Sequence, residues 1–452
     1  MKYPIAAALL GAGALLAGCA TPTLPQLHTQ TQELRAQRSR IAMEETPLAR
    51  ALAEPLDAER AVKVALLNNP SVRATLAQLQ TAQGDLYDAL RPANPALDFA
   101  ALDAAGGVTR TAWSVSQPLL DLLFTAYRRQ HGELAMREAQ HLVADQLLRL
   151  ERDVRQAWLR HAAASLRQRI AARAVEAAEL AAQLAQSYHA AGNIAEQQWR
   201  AEQALASEAQ LRLAAREAEL LNARTVLLDL LGLQHDQPGL RFEDRLILPT
   251  AIAPGIEGLA TQALQQRLDL AAQAAALEMA QRDRQHTQRW RWLPAVELRI
   301  EGERETGQGS AIGPGATLQL PVPNTGAGRL ARANARVQGR EAELAARQIA
   351  VQNRIAQDGA MLELATRSFD VHARNLLQHN QRLLELAGEQ RNFMLIGSFE
   401  LLAARRRQIE GHDLWIDAIE SWWHAFNDLS YESGTALPIP AAAGYVSAED
   451  LP

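Results

Sequence analysis

The sequence predicts a mainly α fold with a small β part, arranged as an internal two-fold repeat. Three observations carry this prediction. From about 121 to 188 the chain has no Pro and one Gly, Gly132. At 1.5 Å per residue that run makes roughly 100 Å of helix, more than a globular core uses. Two stretches, near 96–118 and 295–320, instead alternate apolar and polar residues around a Gly-rich centre, the period of a β-hairpin. Finally, the order helix, hairpin, long helix, tight turn, helix occurs twice. "ALLNNPSVRAT" at 65 matches "ALQQRLDLAAQ" at 263 with an offset of 198, and Pro95 matches Pro294.

Taken in order, the chain opens with Lys2, an uncharged apolar run from Ile5 to Leu16, and the small residues Ala17 and Gly18 before Cys19, its only cysteine. Residues 1–18 read as a secretory signal peptide, too short to span a bilayer. A lone thiol cannot form an internal disulfide. "LLAGC" resembles a bacterial lipobox, which implies cleavage before Cys19 and a lipid on its sulfur. By resemblance to sorted lipoproteins, Ala20 rather than Asp after the cysteine implies the outer membrane. Residues 19–56 contain "TPTLPQLHTQ" with little periodicity and read as an extended, lipidated tether.

The first repeat covers 57–232. A helix from about 57 to 91 is opened by Asp57 and stopped by "RPANP". In the first hairpin, Leu97, Phe99 and Ala101 alternate with Asp98 and Ala100. After a Gly106-Gly107 turn, Trp113 and Val115 alternate with Ser114 and Ser116. Each arm has about the length a tilted strand needs to cross a bilayer. The long helix carries Asp145/Arg149 and Glu151/Arg155 as i,i+4 pairs, expected on its outer faces. It breaks at "YHAAGNIAEQQW" and returns with Leu213, Leu220 and Leu227 at heptad spacing, a helical hairpin of coiled-coil type.

A Pro/Gly-rich linker, 233–256, separates the second repeat, 257–432. There Val296, Leu298 and Ile300 alternate with Glu297, Arg299 and Glu301, and Ala316, Leu318 and Leu320 with Thr317 and Gln319. A helix from about 327 to 392 has Val337, Leu344 and Val351 at heptad spacing. Its turn, "FMLIGSFELL", is matched to the first at offset 205, setting Phe393 on Tyr188 and Gly397 on Gly192. Both glycines are expected at positive φ. A Pro/Ala tail, 433–452, ends the chain.

Composition narrows the function. The net charge is −5 without a basic block, which argues against nucleic acid. No apolar run after the signal is long enough for a membrane helix, so spanning would require strands closed into a barrel. Phosphate loops, Ser/His/Asp orderings and HExxH are absent, and no enzyme is expected. His372 and His379 share a helix face without carboxylate or thiol company, so no metal site is expected. Six methionines form no cluster for a soft metal. No cofactor is expected beyond the covalent lipid at Cys19. Trp290 and Trp292 in "RWRW" suit an interfacial belt or packing at the hairpin base; Trp422 and Trp423 suit packing.

The chain resembles the TolC-type outer-membrane factor family, in its lipoprotein subgroup. The resemblance rests on "ALLNNPSV" and "ALQQRLDLAA", "RPANPALDF", "LQLPVPNTGAGRLARANA" and "IGSFELLAARRRQIEGHDLWIDAIESWWHAFNDL". It implies a homotrimer whose chains each give four strands to a twelve-stranded outer-membrane β-barrel and four helical passes to a periplasmic α-barrel. It implies a passive efflux or type I secretion duct working with a periplasmic adaptor and an inner-membrane pump. "SFELLAARR" at the second tip lacks the acidic residue many members carry further along. Within this frame, Val296, Leu298, Ile300 and Leu318 are expected to face lipid, and Glu297, Arg299 and Glu301 the lumen. Gly192 and Gly397 mark tips for adaptor docking; Glu196 and Glu400 are candidates for a gate or cation filter. The rival reading is a periplasmic lipoprotein scaffold whose hairpins are surface ribbons. Cargo is open among metal ions, drugs and other small molecules, with "GSFELL" resembling metal-efflux members.

Overall fold

A computed structural model describes residues 23–41, 48–104, 108–249, 258–293, 295–305, 307, 309–319, 322–439 and 444–451. The signal segment, Cys19, the Gly106-Gly107 turn, Pro294, Leu320 and residues 250–256 of the expected linker lie outside the described residues. In chain order the elements are α1 (Leu24–Ala36), α2 (Leu48–Ala51), α3 (Ala58–Asn68), α4 (Pro70–Ala89), β1 (Ala96–Ala104), β2 (Val108–Pro118), α5 (Leu119–Leu123), α6 (Thr125–Ala190), α7 (Glu196–Leu231) and β3 (Leu246–Ile247). There follow α8 (Leu259–Gln266), α9 (Leu268–Trp290), β4 (Ala295–Glu305), β5 (Gly309–Gln319), α10 (Ala327–Asp370), a π-helical turn (Val371–Leu376), α11 (Leu377–Asn392), α12 (Ser398–Glu432) and β6 (Tyr445–Val446).

The single helix expected over 57–91 is two. Pro70 disfavours helical backbone at Asn69, which is extended at φ −64° and ψ 122°. The break has a use. Asn68 Nδ2 donates to the carbonyls of Leu231 and Gly232, and Asn69 Nδ2 to that of Leu230, at 2.7–3.1 Å. These carbonyls end α7 and have no partner within their helix. The second repeat makes the same break at Arg267, φ −66° and ψ 131°, without a proline. Arg267 Nη1 donates to the Glu432 carbonyl at 3.0 Å and pairs with the Glu432 carboxylate, closing the end of α12. Asn69 and Arg267 stand at the offset of 198 expected from sequence. Gly232 and Gly434, both left-handed just beyond their helices, stand at 202.

The described residues form two compact units. The first, drawn from residues up to Leu34, Thr75–Ala144 and Leu268–Gln348, contains a four-stranded antiparallel sheet in the order β1-β2-β4-β5. Its helical part packs Leu27, Leu86 and Met136, all buried, into one cluster. At Gly132 a Cβ would lie 2.8 Å from Leu86 Cδ1, so any larger residue would have to displace the buried Leu86 side chain. Tyr127 donates to Asp283 at 2.6 Å and stacks on His286 with ring centroids 3.7 Å apart.

The second unit, Arg35–Ala74, Asp145–Arg267 and Ile349–Pro452, contains both helical tips and a ribbon of β3 with β6. Trp422 and Phe426 are fully buried and stack at 5.3 Å. Trp422 Nε1 donates to Thr366 Oγ1 and Trp423 Nε1 to the Ile247 carbonyl, so both indoles pack, as expected. Asn380 is buried and donates across the helical hairpin to the Arg407 carbonyl at 3.1 Å.

Two expectations are corrected here. Residues 24–36 are helix, with Leu27 and Thr31 buried in the first unit and Arg35 in the second. The N-terminal segment therefore packs instead of running as an extended tether throughout. Asp145 and Glu151 are not on outer faces: Glu151 is 1% exposed and holds Arg35 at 2.5 Å and Ser39 Oγ at 2.6 Å. Asp145 accepts from Tyr431 Oη at 3.0 Å. Segments returning from elsewhere in the chain cover this side of α6. Both carboxylates keep their i,i+4 arginines, but as members of buried networks.

Candidate functional site

Along most of its length the sheet sorts its side chains by chemistry; toward the hairpin ends Asp103 and Arg304 fall on the apolar side and Leu102 on the charged side. Residues paired in register point to one side. Leu97, Val115, Ile300 and Pro314 form one such row, and Phe99, Trp113, Gly302 and Ile312 the next. Leu298 with Ala316 and Val296 with Leu318 extend the same face. The opposite face carries Asp98, Ser114, Arg110, Glu297, Arg299, Glu301, Glu303 and Thr317. Arg110 pairs there with Glu303, and Arg299 lies across Gly315 to reach Thr317. The four apolar positions expected from sequence thus share one face, and Glu297, Arg299 and Glu301 share the other.

Gly302 is a residue that sequence reading missed. The Trp113 indole lies over it, and a Cβ at 302 would sit 2.5 Å from the ring. A glycine inside an alternating strand, directly across from a tryptophan, was the available signal. Gly302→Val should displace the indole and destabilise the contact between the two hairpins by about 1–3 kcal/mol. The check is a shift of tryptophan emission together with a lower melting point; an unchanged melt would remove this role.

β1 and β5 are the sheet edges and have no further strand partner among the described residues. Their free N–H and C=O groups could not stay unpaired in hydrocarbon.

Both tips close with one backbone motif. At the first, Gly192 is left-handed at φ 77°; its N–H bonds the His189 carbonyl and that of Asn193 bonds Tyr188. At the second, the left-handed residue is Met394 at φ 59°, with Met394 N–H to Arg391 and Leu395 N–H to Gln390. This is the Schellman pattern in both. The tips therefore align at an offset of 202, the offset of Gly232 and Gly434, and not at 205. Gly397 is not a positive-φ turn residue. It is extended at φ −82°, ψ 173°, and caps the start of α12. The sequence match aligned glycine with glycine, but backbone geometry places methionine at the bend.

A methionine in this conformation costs about 1–2 kcal/mol. Phe393, Met394 and Leu395 are 77%, 93% and 72% exposed, so the second tip projects apolar side chains. The first tip instead presents Gly192 and Asn193, with His189 stacked on Trp199 behind them. Glu196 and Glu400 both lie in the first turns of their helices, Glu196 within 3.3 Å of Arg200. The Glu400 carboxylate folds back beside Gly397. Both positions also favour helix-end stabilisation.

No protein-family model and no curated protein matches this sequence. Solved structures do match the fold. The CmeC outer membrane channel of Campylobacter jejuni superposes with a TM-score of 0.67 at 14% identity, covering 88% of this chain and 95% of that one. The outer membrane protein VceC of Vibrio cholerae gives 0.67 at 15%, covering 84% and 96%. The open-state MtrE outer membrane channel of Neisseria gonorrhoeae gives 0.61 at 18%, covering 88% and 97%. The chain has the TolC-type fold.

Within this TolC-type fold the remaining singled-out residues are placed as follows. Trp290 packs against Phe124 at 5.4 Å, while Trp292 is exposed beneath the Arg291 guanidinium. The two residues of "RWRW" therefore divide the packing and surface readings between them. His372 lies in the π-helical turn, its Nδ1 2.7 Å from the Ser368 carbonyl. No helix among the described residues is long and apolar enough to cross a membrane.

Proposed function

We propose that the protein is the outer-membrane channel subunit of a tripartite efflux or type I secretion system. The observation that carries this reading is the sheet: one apolar face, one charged face and two unsatisfied edges. Three copies joined edge to edge would close twelve strands into a barrel, with Leu298 and Ile300 toward lipid and Glu297, Arg299 and Glu301 toward water. The similarity to CmeC, VceC and MtrE supports the same reading. Energy would come from an inner-membrane pump reached through a periplasmic adaptor, and the subunit's own part is a water-filled path with an opening end. The helical tips at Gly192 and at Met394–Gly397 are the proposed adaptor-docking positions. Glu196 and Glu400 are the proposed cation filter.

The test is single-channel recording in planar bilayers. Discrete ohmic steps with cation preference are expected, and the double variant Glu196→Gln, Glu400→Gln should lose part of that preference. A folded protein that never conducts would favour the scaffold reading. Steps with unaltered selectivity in the double variant would leave these glutamates as helix-end stabilisers.

Anchoring through Cys19 is a separate proposal, supported by "LLAGC". Cys19→Ser should abolish incorporation of labelled fatty acid while the protein still reaches the envelope. Equal labelling of variant and wild type would overturn it.

A further inference from the structure

The second unit contains a cavity of about 270 Å³ that none of the channel chemistry uses. Its walls come from the start of α3, from α6, from the β3–β6 ribbon and from α12. Trp158, Ile247, Trp423, Ile439 and Tyr445 supply the apolar surface. Ile439 and Tyr445 are exposed, so the cavity opens to solvent there. Both indole N–H groups are committed to carbonyls, Trp158 to Leu56 and Trp423 to Ile247, which presents their ring systems rather than their polar edges.

The charged lining is paired with one exception. Arg155 makes a two-pronged contact with Glu59, and Arg245 pairs with Glu243. Asp57 accepts from the Arg60 backbone N–H as the cap of α3. Among the described residues Arg40 has no carboxylate partner, and its Nη2 is buried without a hydrogen bond. Its guanidinium carbon lies 5.5 Å from the centre of the Phe426 ring. A buried guanidinium nitrogen without an acceptor is costly. Burial, and then the like charge of Arg155, hold the Arg40 guanidinium below its ordinary pKa, while Glu59 partly opposes them.

We propose that this cavity is a binding site for a small amphiphilic monocarboxylate, its carboxylate on Arg40 and its apolar part between Trp158 and Trp423. A carboxylate supplies the acceptors that Arg40 lacks, in a geometry that guanidinium groups match well, once the guanidinium turns its covered Nη2 toward the cavity. The apolar part gains burial against aromatic walls. The volume suits a compact ligand, not a phospholipid or a peptide.

The experiment uses the full-length protein in lipid nanodiscs, because detergent is itself an amphiphile. 4-Phenylbutyrate is the probe and 4-phenylbutanol its neutral counterpart, followed by calorimetry and tryptophan emission against empty nanodiscs. Saturable binding of the acid is expected. It should weaken about ten- to a hundredfold in Arg40→Gln, the loss expected for a charged hydrogen bond. The alcohol should bind both proteins alike and weakly. Should Arg40→Gln fold poorly by its melting curve, Ile439→Trp narrows the mouth without touching the arginine and should block the acid equally. Failure of the acid to bind overturns the proposal. So does equal affinity for wild type and Arg40→Gln, or undiminished binding to Ile439→Trp.

Discussion

Arg167→Met should destabilise the protein by about 3 kcal/mol at neutral pH. Arg167 is 5% exposed at the meeting of α6, α7 and α12, and contacts Glu219 at 3.3 Å, Asp417 at 2.5 Å and Glu420. Methionine keeps the unbranched apolar stem but leaves three carboxylates facing an uncharged side chain. Glu219 and Asp417 are about half exposed, and water relieves them. Glu420 is not, which puts the expected loss at the low end of the range for a broken buried pair. Burial pushes the Glu420 carboxyl up, but hydrogen bonds and charge from His424 and Arg167 outweigh it and hold the pKa below its ordinary value. A depressed carboxylate stabilises the fold above its unfolded pKa, and that stability is lost as pH falls through the folded pKa. The penalty of Arg167→Met should therefore be largest at pH 7 and shrink toward pH 4, where the stranded carboxylates take up protons. Urea melts of both proteins at the two pH values decide it. A penalty under 1 kcal/mol, or one independent of pH, would show that the cluster is an ordinary solvated ion network.

The second large effect concerns the sheet. Ile300 is the middle residue of β4, in register with Val115 and Pro314 on the apolar face. If that face meets hydrocarbon, Ile300→Arg should cost about 2–4 kcal/mol per chain. The heat-stable oligomer should disappear from gels run without boiling. Arg299→Leu, one residue away, should assemble normally and change only ion selectivity. The contrast between neighbours is the sensitive part, because a soluble ribbon would tolerate both. Normal assembly of Ile300→Arg with failure of Arg299→Leu would mean that the faces are assigned the wrong way round.

Much of this architecture was legible in the sequence because its signals are periodic. Alternation in "VELRIEGE" divided the residues into two sets, and in the register the two sets stand on opposite faces. The "ALLNNPSV" and "ALQQRLDL" match found the equivalent breaks at Asn69 and Arg267, although it did not show them as breaks. One extended residue is too short to disturb a helical period. The N-terminal helix was missed for a different reason. Its buried residues include Thr31 and Arg35, so hydrophobic periodicity had little to report. The burial of Asp145 and Glu151 was hidden likewise, since i,i+4 charge pairs look the same on a wet face and in a network. Arg40 carried no signal in sequence at all, because its isolation depends on where every neighbouring carboxylate goes. The second tip was misaligned because left-handed backbone is ordinarily read from glycine, and here methionine adopts it.

That substitution of methionine for glycine at one bend has a consequence for stoichiometry. In the proposed trimer the far mouth is a ring of six bends that share one backbone shape. Their chemistry repeats only at every second position, Ala-Gly-Asn alternating with Phe-Met-Leu. The ring is therefore sixfold in form and threefold in substance. A partner built from six identical subunits would meet two inequivalent footholds and would have to divide its subunits into three pairs. A partner with three subunits could sit on the apolar footholds alone and leave the polar ones free to move.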